Sequence, residues 1–497
     1  MGSLPASVLP LLCTSGRPVV LAKSDGKAGQ VTADPWESSE KVPWNPEGPT
    51  LDSARNDWMR FIYNILFTIF FYLSAPFYFL KMWRRGNWKD NFGQRFGRFD
   101  AKVKQALTNR HIIWLHAVSV GEVNICTHLI QALEPRIPNI KIVVSTTTST
   151  GMGELKKRLP SHILKIYYPI DRRPWVWKSL GTIHPEAVIL IEAEVWPNFI
   201  WRCRDLGIPT FLINARLSER SRRGYRLWGM LFRPLFQSLA GVGCQNDEDA
   251  KKLVDIGCRS EVVQVLGSLK FDSVKLDERR LLDVPVLLKQ LGVDPSAPVI
   301  VAGSTHAGEE EVIAKIFLNL RARFKNLFLI VVPRHAERAK DAGRDMEAHQ
   351  LRLVYRTQIT TQTAHAPGTV DCLMVNTTGE LKYFYERANL IFVGKSLKAH
   401  GGQNPIEPGA MGKPMVFGPN MENFAAIAAS FVAEDGAIQV KDAAQMEQVM
   451  GELLSNPERA SQLGRNALQV VQKNQGAIER TVQMVIDKLK GGSLHIE

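Results

Sequence analysis

The sequence predicts two doubly wound, parallel-sheet α/β domains of Rossmann-like type, facing a cleft, with an N-terminal membrane-anchor helix ahead of them. Three observations carry this. At 497 residues the chain is too long for one core. Short apolar runs alternate with amphipathic stretches in two successive series, the pattern of parallel sheets covered by helices. A charge-free apolar stretch near the start is long enough to meet a bilayer.

The elements follow in order. The first fifty residues are rich in Pro, Gly, Ser and Asp and lack periodicity, so residues 1–57 are expected to be a mostly disordered extension. Val8–Leu12 is too short, and lacks the basic start, for a secretion signal. Residues 58–85 form the anchor. Its core, Phe61 to Leu80, carries no formal charge and is flanked by Trp58 and Trp83. Arg60 precedes it, and Lys81, Arg84, Arg85 and Lys89 follow. The heavier basic cluster lies after the anchor, which places the downstream chain on the cytoplasmic side. Asn64 and Pro76 keep a second arrangement open, a helix lying in the interface or kinked into it.

Residues 86–275 form the first α/β domain. Strands are expected at Ile112–Leu115, Ile140–Ser145, Ala187–Ile191, Thr210–Ile213 and Leu239–Cys244. A helix near Gly121 carries Cys126, Leu129, Ile130 and Leu133 on one face. From Phe271 to Pro298 a charged, Leu-rich helix and the segment Asp294-Pro-Ser-Ala-Pro298 mark the crossover between halves. Residues 276–475 form the second domain, with strands at Val299–Ala302, Leu327–Val332, Leu353–Tyr355, Leu390–Val393 and Pro414–Phe417. A helix near Ile478–Leu489 and a tail close the chain over residues 476–497.

Lys and Arg number 62 against 49 Asp and Glu, a net charge of +13. This favours an anionic partner: nucleic acid, anionic lipid or a phosphorylated substrate. The anchor, and basic residues that do not interleave with aromatics, argue against nucleic acid. Six scattered Cys without a C-x-x-C pair read as buried thiols in a reducing compartment. No H-E-x-x-H or Cys/His cluster implies a tightly held catalytic metal.

Chemistry-bearing residues cluster where strands run into helices. In Trp114-Leu-His-Ala-Val-Ser-Val-Gly-Glu122 the carboxylate of Glu122 falls at a helix start, where it serves either the helix dipole or proton abstraction. Ser119 lacks the G-x-S-x-G elbow of a serine nucleophile. Glu192 and Glu194 follow a buried strand on one face, to orient an acceptor or to pair with an Arg. Arg216, Arg220, Arg222 and Arg223 form a basic run that suits a phosphorylated acceptor or simply a solvated helix face. In the second half, Gly303, Ser304 and Thr305 follow a strand and offer groups to a phosphate. Arg334 ends another strand as a phosphate or carboxylate clamp, with His335 beside it. Asn376-Thr-Thr-Gly-Glu-Leu381 is a further loop entering a helix. Gly401-Gly-Gln-Asn-Pro-Ile-Glu407 is a Gly-rich turn into a helix that by itself is either an ordinary strand-to-helix turn or a cradle with backbone amides for a phosphate and a carboxylate for a ribose diol, and the companion loops of the same half favour the cradle.

Taken together, HAVSVGE, EAEVWPN, NARLSERS, GSLKFD, AGSTHAGEE, VPRH, TTGEL and GGQNPIEP stand in an order that resembles the 3-deoxy-D-manno-octulosonic acid (Kdo) transferases of lipopolysaccharide synthesis. The resemblance runs from the anchor, including Gly93-Gln-Arg-Phe-Gly97, to about residue 485. It implies a GT-B glycosyltransferase that moves Kdo, with inversion, from CMP-Kdo to a tetraacylated, bisphosphorylated lipid A precursor (lipid IVA) at the inner membrane, with no cofactor or metal. It implies Glu122 as catalytic base, with Glu194 and Glu192 beside it in the acceptor cleft; from the basic run, Arg216 and Arg220 are the residues expected toward the acceptor. Ser304, Thr305, Arg334, Gly379, Asn404 and Glu407 would bind the CMP-sugar donor, Glu407 at the ribose. Three positions depart from the family pattern: Lys395 for Gly, Gln403 for His and Asn376 for Asp. A related enzyme using another nucleotide sugar, and a non-catalytic membrane-surface binder, are the competing readings.

Overall fold

The computed structural model describes residues 51–84, 91–108, 111–137, 139–192, 195–272 and 282–490. The disorder expected for residues 1–50 lies outside them, as do Cys13, Arg85, Lys89 and Glu194. The chain forms two compact units. One runs up to Leu266 and takes in Arg480 onward; the other is Gly267–Glu479.

The first helix runs from Leu51 to Arg84, with Pro76 inside it. It therefore starts within the stretch expected to be disordered, because a helix held along its middle propagates outward at little cost. What holds it is polar. Arg60 makes a two-pronged pair with Asp205 at 2.9 and 3.0 Å. The Tyr63 hydroxyl donates to Asp171 at 2.7 Å. Asn64 accepts from Asn198 at 3.1 Å, and Arg172 donates to the Tyr72 hydroxyl at 3.2 Å. Tyr63 and Phe71 also pack edge-on against Trp201 and Trp175. The helix thus lies on the first unit through residues 60–72. Phe61, Leu66, Leu73 and Phe77 are exposed on it.

In the first unit seven parallel strands are β1 (His111–His116), β2 (Ile140–Thr146), β3 (Leu164–Tyr167), β4 (Ala187–Ile191), β5 (Thr210–Ala215), β6 (Gly241–Cys244) and β7 (Val263–Val265). Their order is β3-β2-β1-β4-β5-β6-β7. The helices Val120–Leu133, Ser149–Arg158 and Pro197–Asp205 follow β1, β2 and β4. All five expected strands are present. β3 and β7 were not expected, because three or four residues at a sheet edge show too little periodicity to read. The final helix, Ala477–Lys490, brings Met484 over β6, 3.5 and 3.7 Å from where a Cβ on Gly241 and Gly243 would stand.

The second unit has its own seven parallel strands: β8 (Val299–Thr305), β9 (Phe328–Pro333), β10 (Leu353–Tyr355), β11 (Cys372–Met374), β12 (Leu390–Val393), β13 (Met415–Phe417) and β14 (Ile438–Gln439). Their order is β10-β11-β9-β8-β12-β13-β14. Both sheets reverse direction beside their first strand, between β1 and β4 and between β8 and β12. In open α/β sheets ligands bind off the carboxyl ends of the strands at such a reversal. β11 and β14, of three and two residues, were again too short to expect. Of the crossover helix, Val284–Gln290 is described. The five described Cys are buried and unbridged.

Candidate functional site

In the first unit the site is the end of β1. His116 is buried, its Nδ1 within 2.9 Å of the Ser145 hydroxyl, and its ring lies 3.9 Å from that of Tyr168. Ser119 then caps the helix Val120–Leu133: its hydroxyl accepts from the Glu122 N–H at 3.2 Å. Glu122 sits in the first turn, 9% exposed, and its carboxylate accepts from the Val118 N–H at 2.8 Å. This is the serine-glutamate geometry of a helix cap, shifted by one residue. The sequence left open whether Glu122 caps a helix or takes a proton. The structure shows that its carboxylate is held by the loop, in one orientation, at the mouth of the strand.

Glu192 follows β4 in the left-handed region at φ 67°. Its carboxylate is 3.2 Å from Arg216 Nε and 3.4 Å from the Asn214 amide. The Arg pair that the sequence allowed Glu192 is present, with Arg216. Asn214 is itself left-handed, at a register shift in β5. Residues with a Cβ avoid this conformation at a cost of roughly 1–2 kcal/mol, and such strain gathers at functional strand ends. Arg220 and Arg223 are exposed on the helix Glu219–Leu227, while Arg222 is paired with Glu219 and Asp255. Leu227, Trp228 and Met230 are exposed at the end of the same run.

In the second unit the loops after β8, β9, β12 and β13 converge. Ser304 is left-handed at φ 56° and buried, at a register shift in β8. The Thr305 hydroxyl is turned inward and donates to Glu310 at 2.9 Å, which Arg338 also contacts at 2.9 Å. Its side chain therefore holds the loop together and is not presented outward. A Cβ on Gly303 would lie 2.0 Å from the Tyr385 hydroxyl, so only glycine lets that ring fill the floor of the loop.

The Gly-rich turn reads as its sequence suggests. Gly401 (φ 113°) and Gly402 (φ 68°) are both left-handed, and a Cβ on either would meet Asn423 or Met421 at 2.5 Å. Asn404 then accepts from the Ile406 N–H at 3.1 Å and donates to Glu407 at 3.3 Å. Burial raises the Glu407 carboxyl above its ordinary range, while Asn404, Arg334 and Lys382 favour the charged form. Arg334 is exposed and close enough for its charge to act on Glu407, so the sequence-chosen pair share one region. Gly379 is left-handed with open space around it, and its conformation alone requires glycine. Asn376 bonds Thr357 twice, accepting from its N–H at 3.0 Å and donating to its hydroxyl at 2.7 Å.

Sequence reasoning passed over Glu309, Glu310, Lys382 and Tyr385. The signal for the two glutamates was present: adjacent carboxylates directly after a strand and a glycine, like Glu122. Among the described residues no group of three His, Cys, Asp or Glu side chains could hold a metal ion.

Two units of this build, each with its loops at a reversal point, make this a two-domain GT-B protein. A family model described as 3-Deoxy-D-manno-octulosonic-acid transferase (kdotransferase) matches residues 90–273. A 3-deoxy-D-manno-octulosonic acid transferase of Bordetella pertussis is 31% identical over 429 residues, 84% of this chain and 97% of that protein. That of Haemophilus influenzae is 29% identical over 430 residues, 86% of this chain and 98% of that protein. The UDP-GlcNAc 2-epimerase of Neisseria meningitidis superposes with a TM-score of 0.52 at 14% identity, over 76% of this chain and all of that one, a likeness of fold alone. The chain belongs to the 3-deoxy-D-manno-octulosonic acid transferase family and is a glycosyltransferase.

Proposed function

We propose that this enzyme transfers Kdo from CMP-Kdo to a phosphorylated lipid A precursor, lipid IVA, with inversion and without a metal, at the cytoplasmic face of the inner membrane. The observation that carries the donor half is the grouping of Glu407, Asn404 and Arg334 behind the left-handed pair Gly401 and Gly402. A carboxylate beside a backbone turn suits a ribose diol, and a nearby guanidinium suits one phosphate ester.

For the acceptor half, Glu122 takes the proton of the attacking hydroxyl as that oxygen bonds the anomeric carbon. The bond from that carbon to the CMP phosphate oxygen breaks on the opposite face, and CMP leaves with the electron pair. The Val118 N–H fixes the direction of the carboxylate for this step. The exposed Arg220 and Arg223 would meet the acceptor phosphates.

The first helix supports attachment in the plane of the membrane. Its residues 60–72 are bonded to the folded unit, and Leu73–Arg84 reaches roughly 18 Å, short of the roughly 30 Å hydrocarbon core. Its exposed Phe61, Leu66, Leu73 and Phe77 would enter the interface.

Mass spectrometry of the product formed from CMP-Kdo and lipid IVA tests this reading. A mass gain of one or more Kdo residues is expected. Transfer from a UDP-sugar and none from CMP-Kdo would overturn the donor, and no turnover with any lipid acceptor would favour a binding protein.

A further inference from the structure

Glu309 opens the helix Glu309–Arg323 and is fully buried. Its carboxylate accepts four backbone N–H groups. One is its own loop's His306, at 2.9 Å. The other three are consecutive residues after β12: Lys395 at 2.7 Å, Ser396 at 2.9 Å and Leu397 at 3.0 Å. Three amides in a row aimed at one carboxylate fix the path of that loop. The Ser396 hydroxyl locks it from the other side, donating to Val393 O at 2.6 Å and accepting from the Gly418 N–H at 2.8 Å.

The held loop has one unusual member. Lys395 is left-handed at φ 56°, a conformation that favours glycine. Its carbonyl accepts from the Gly402 N–H at 2.9 Å. Its ammonium lies 3.3 Å from where a Cβ of Gly401 would stand, and its charge acts on His306. A lysine kept in this conformation thus delivers a cation between the Gly401 turn and the loop after β8.

We propose that Glu309 is a positioning residue and that Lys395 is what it positions, an ammonium that binds an anionic group of the sugar nucleotide. The proposal rests on the donor site described above. The Kdo carboxylate and the donor phosphate share the chemistry it would recognise, and free CMP separates them.

The test uses the full-length protein and five forms: unaltered, Lys395→Gly, Lys395→Gln, Glu309→Gln and the double Glu309→Gln/Lys395→Gly. Steady-state kinetics with CMP-Kdo, calorimetric CMP binding and melting temperature are read for each. Lys395→Gly should melt no lower than the unaltered chain, because it relieves backbone strain. It should raise the KM for CMP-Kdo about tenfold and flatten its dependence on salt. Lys395→Gln should raise KM similarly. Weaker CMP binding in these variants assigns the ammonium to phosphate; unchanged CMP binding with raised KM assigns it to the Kdo carboxylate. Glu309→Gln should raise the donor KM at least as much and leave the acceptor KM unchanged. The double variant should lose no more than the worse single one, since both act through one group.

Donor KM and salt dependence unchanged in both Lys395 variants would overturn the role of the ammonium. A Glu309→Gln protein that only melts lower, with its donor KM unmoved, or losses that add in the double variant, would overturn the coupling. If Glu309→Gln does not fold, Glu309→Asp replaces it, with the same expected rise in donor KM. An unaltered chain that neither binds CMP nor uses CMP-Kdo would instead refute the donor reading.

Discussion

Each sheet leads with a strand that runs into a helix, and each helix has a glutamate in its first turn. The two glutamates act in opposite ways. Glu122, 9% exposed, turns back on its own loop and accepts the Val118 N–H. Glu309, wholly buried, reaches across the reversal point to three successive amides of the loop after β12. The difference separates a carboxylate held by its own loop with a little exposure from one wholly buried as a brace between loops. In the first unit the loop after β4 is tied the other way, toward β5, through Glu192 and Arg216.

The largest effect expected is at Glu122. Glu122→Gln should lower kcat by about 10²–10⁴, the usual worth of a general base, with CMP affinity and melting temperature near those of the parent. Product formation by mass spectrometry measures it. A glutamine variant that retained most of its turnover would make Glu122 a cap like any other and erase the contrast.

Next in size is the brace. Glu309→Ala leaves four amides without their acceptor, and a buried donor left unsatisfied costs about 1–3 kcal/mol before water enters. A loss of about 3–5 kcal/mol in urea unfolding is expected, the scale of a broken buried charge site. A loss below about 1 kcal/mol would show that the loop holds itself.

A third buried carboxylate sharpens the comparison through pH. Asp171 accepts from the Tyr63 hydroxyl and from the Asn198 and Phe199 N–H groups, and joins the first helix to its unit. Burial pushes its pKa up to about 7, against the pull of those three donors. A folded acid with a raised pKa binds a proton that the unfolded chain has released. Its contribution is therefore complete below about pH 4 and is lost as pH rises through about 7. Melting temperature should fall across that window, and Asp171→Asn, neutral throughout, should reduce the fall. The same slope in both proteins would show that Asp171 is charged throughout.

The smallest effect is at the cap itself. Ser119→Ala removes the hydroxyl that accepts the Glu122 N–H and should cost about 1 kcal/mol. If kcat drops far more than stability, the cap also sets the aim of the base.

Much of this was readable in one dimension. Strands such as Ala187–Ile191 and Leu390–Val393, buried throughout, announce themselves as unbroken apolar runs. The Gly401–Glu407 turn by itself read equally well as an ordinary strand-to-helix turn, and it was the companion loops after the other strands of the same half that singled it out. The Glu309 brace was not legible, because its partners lie some eighty-six to eighty-eight residues away. Nor was the inward turn of Thr305, since a hydroxyl after a strand looks the same whether it meets a ligand or Glu310.

The sequence by itself determined the two α/β series, the apolar first helix and the family to which the chain belongs, because local periodicity and motif order are properties of the chain alone. Only the tertiary structure decided what each carboxylate bonds to. A glutamate becomes a brace, an ion-pair partner or a helix-cap acceptor according to which N–H and guanidinium groups the fold brings to it.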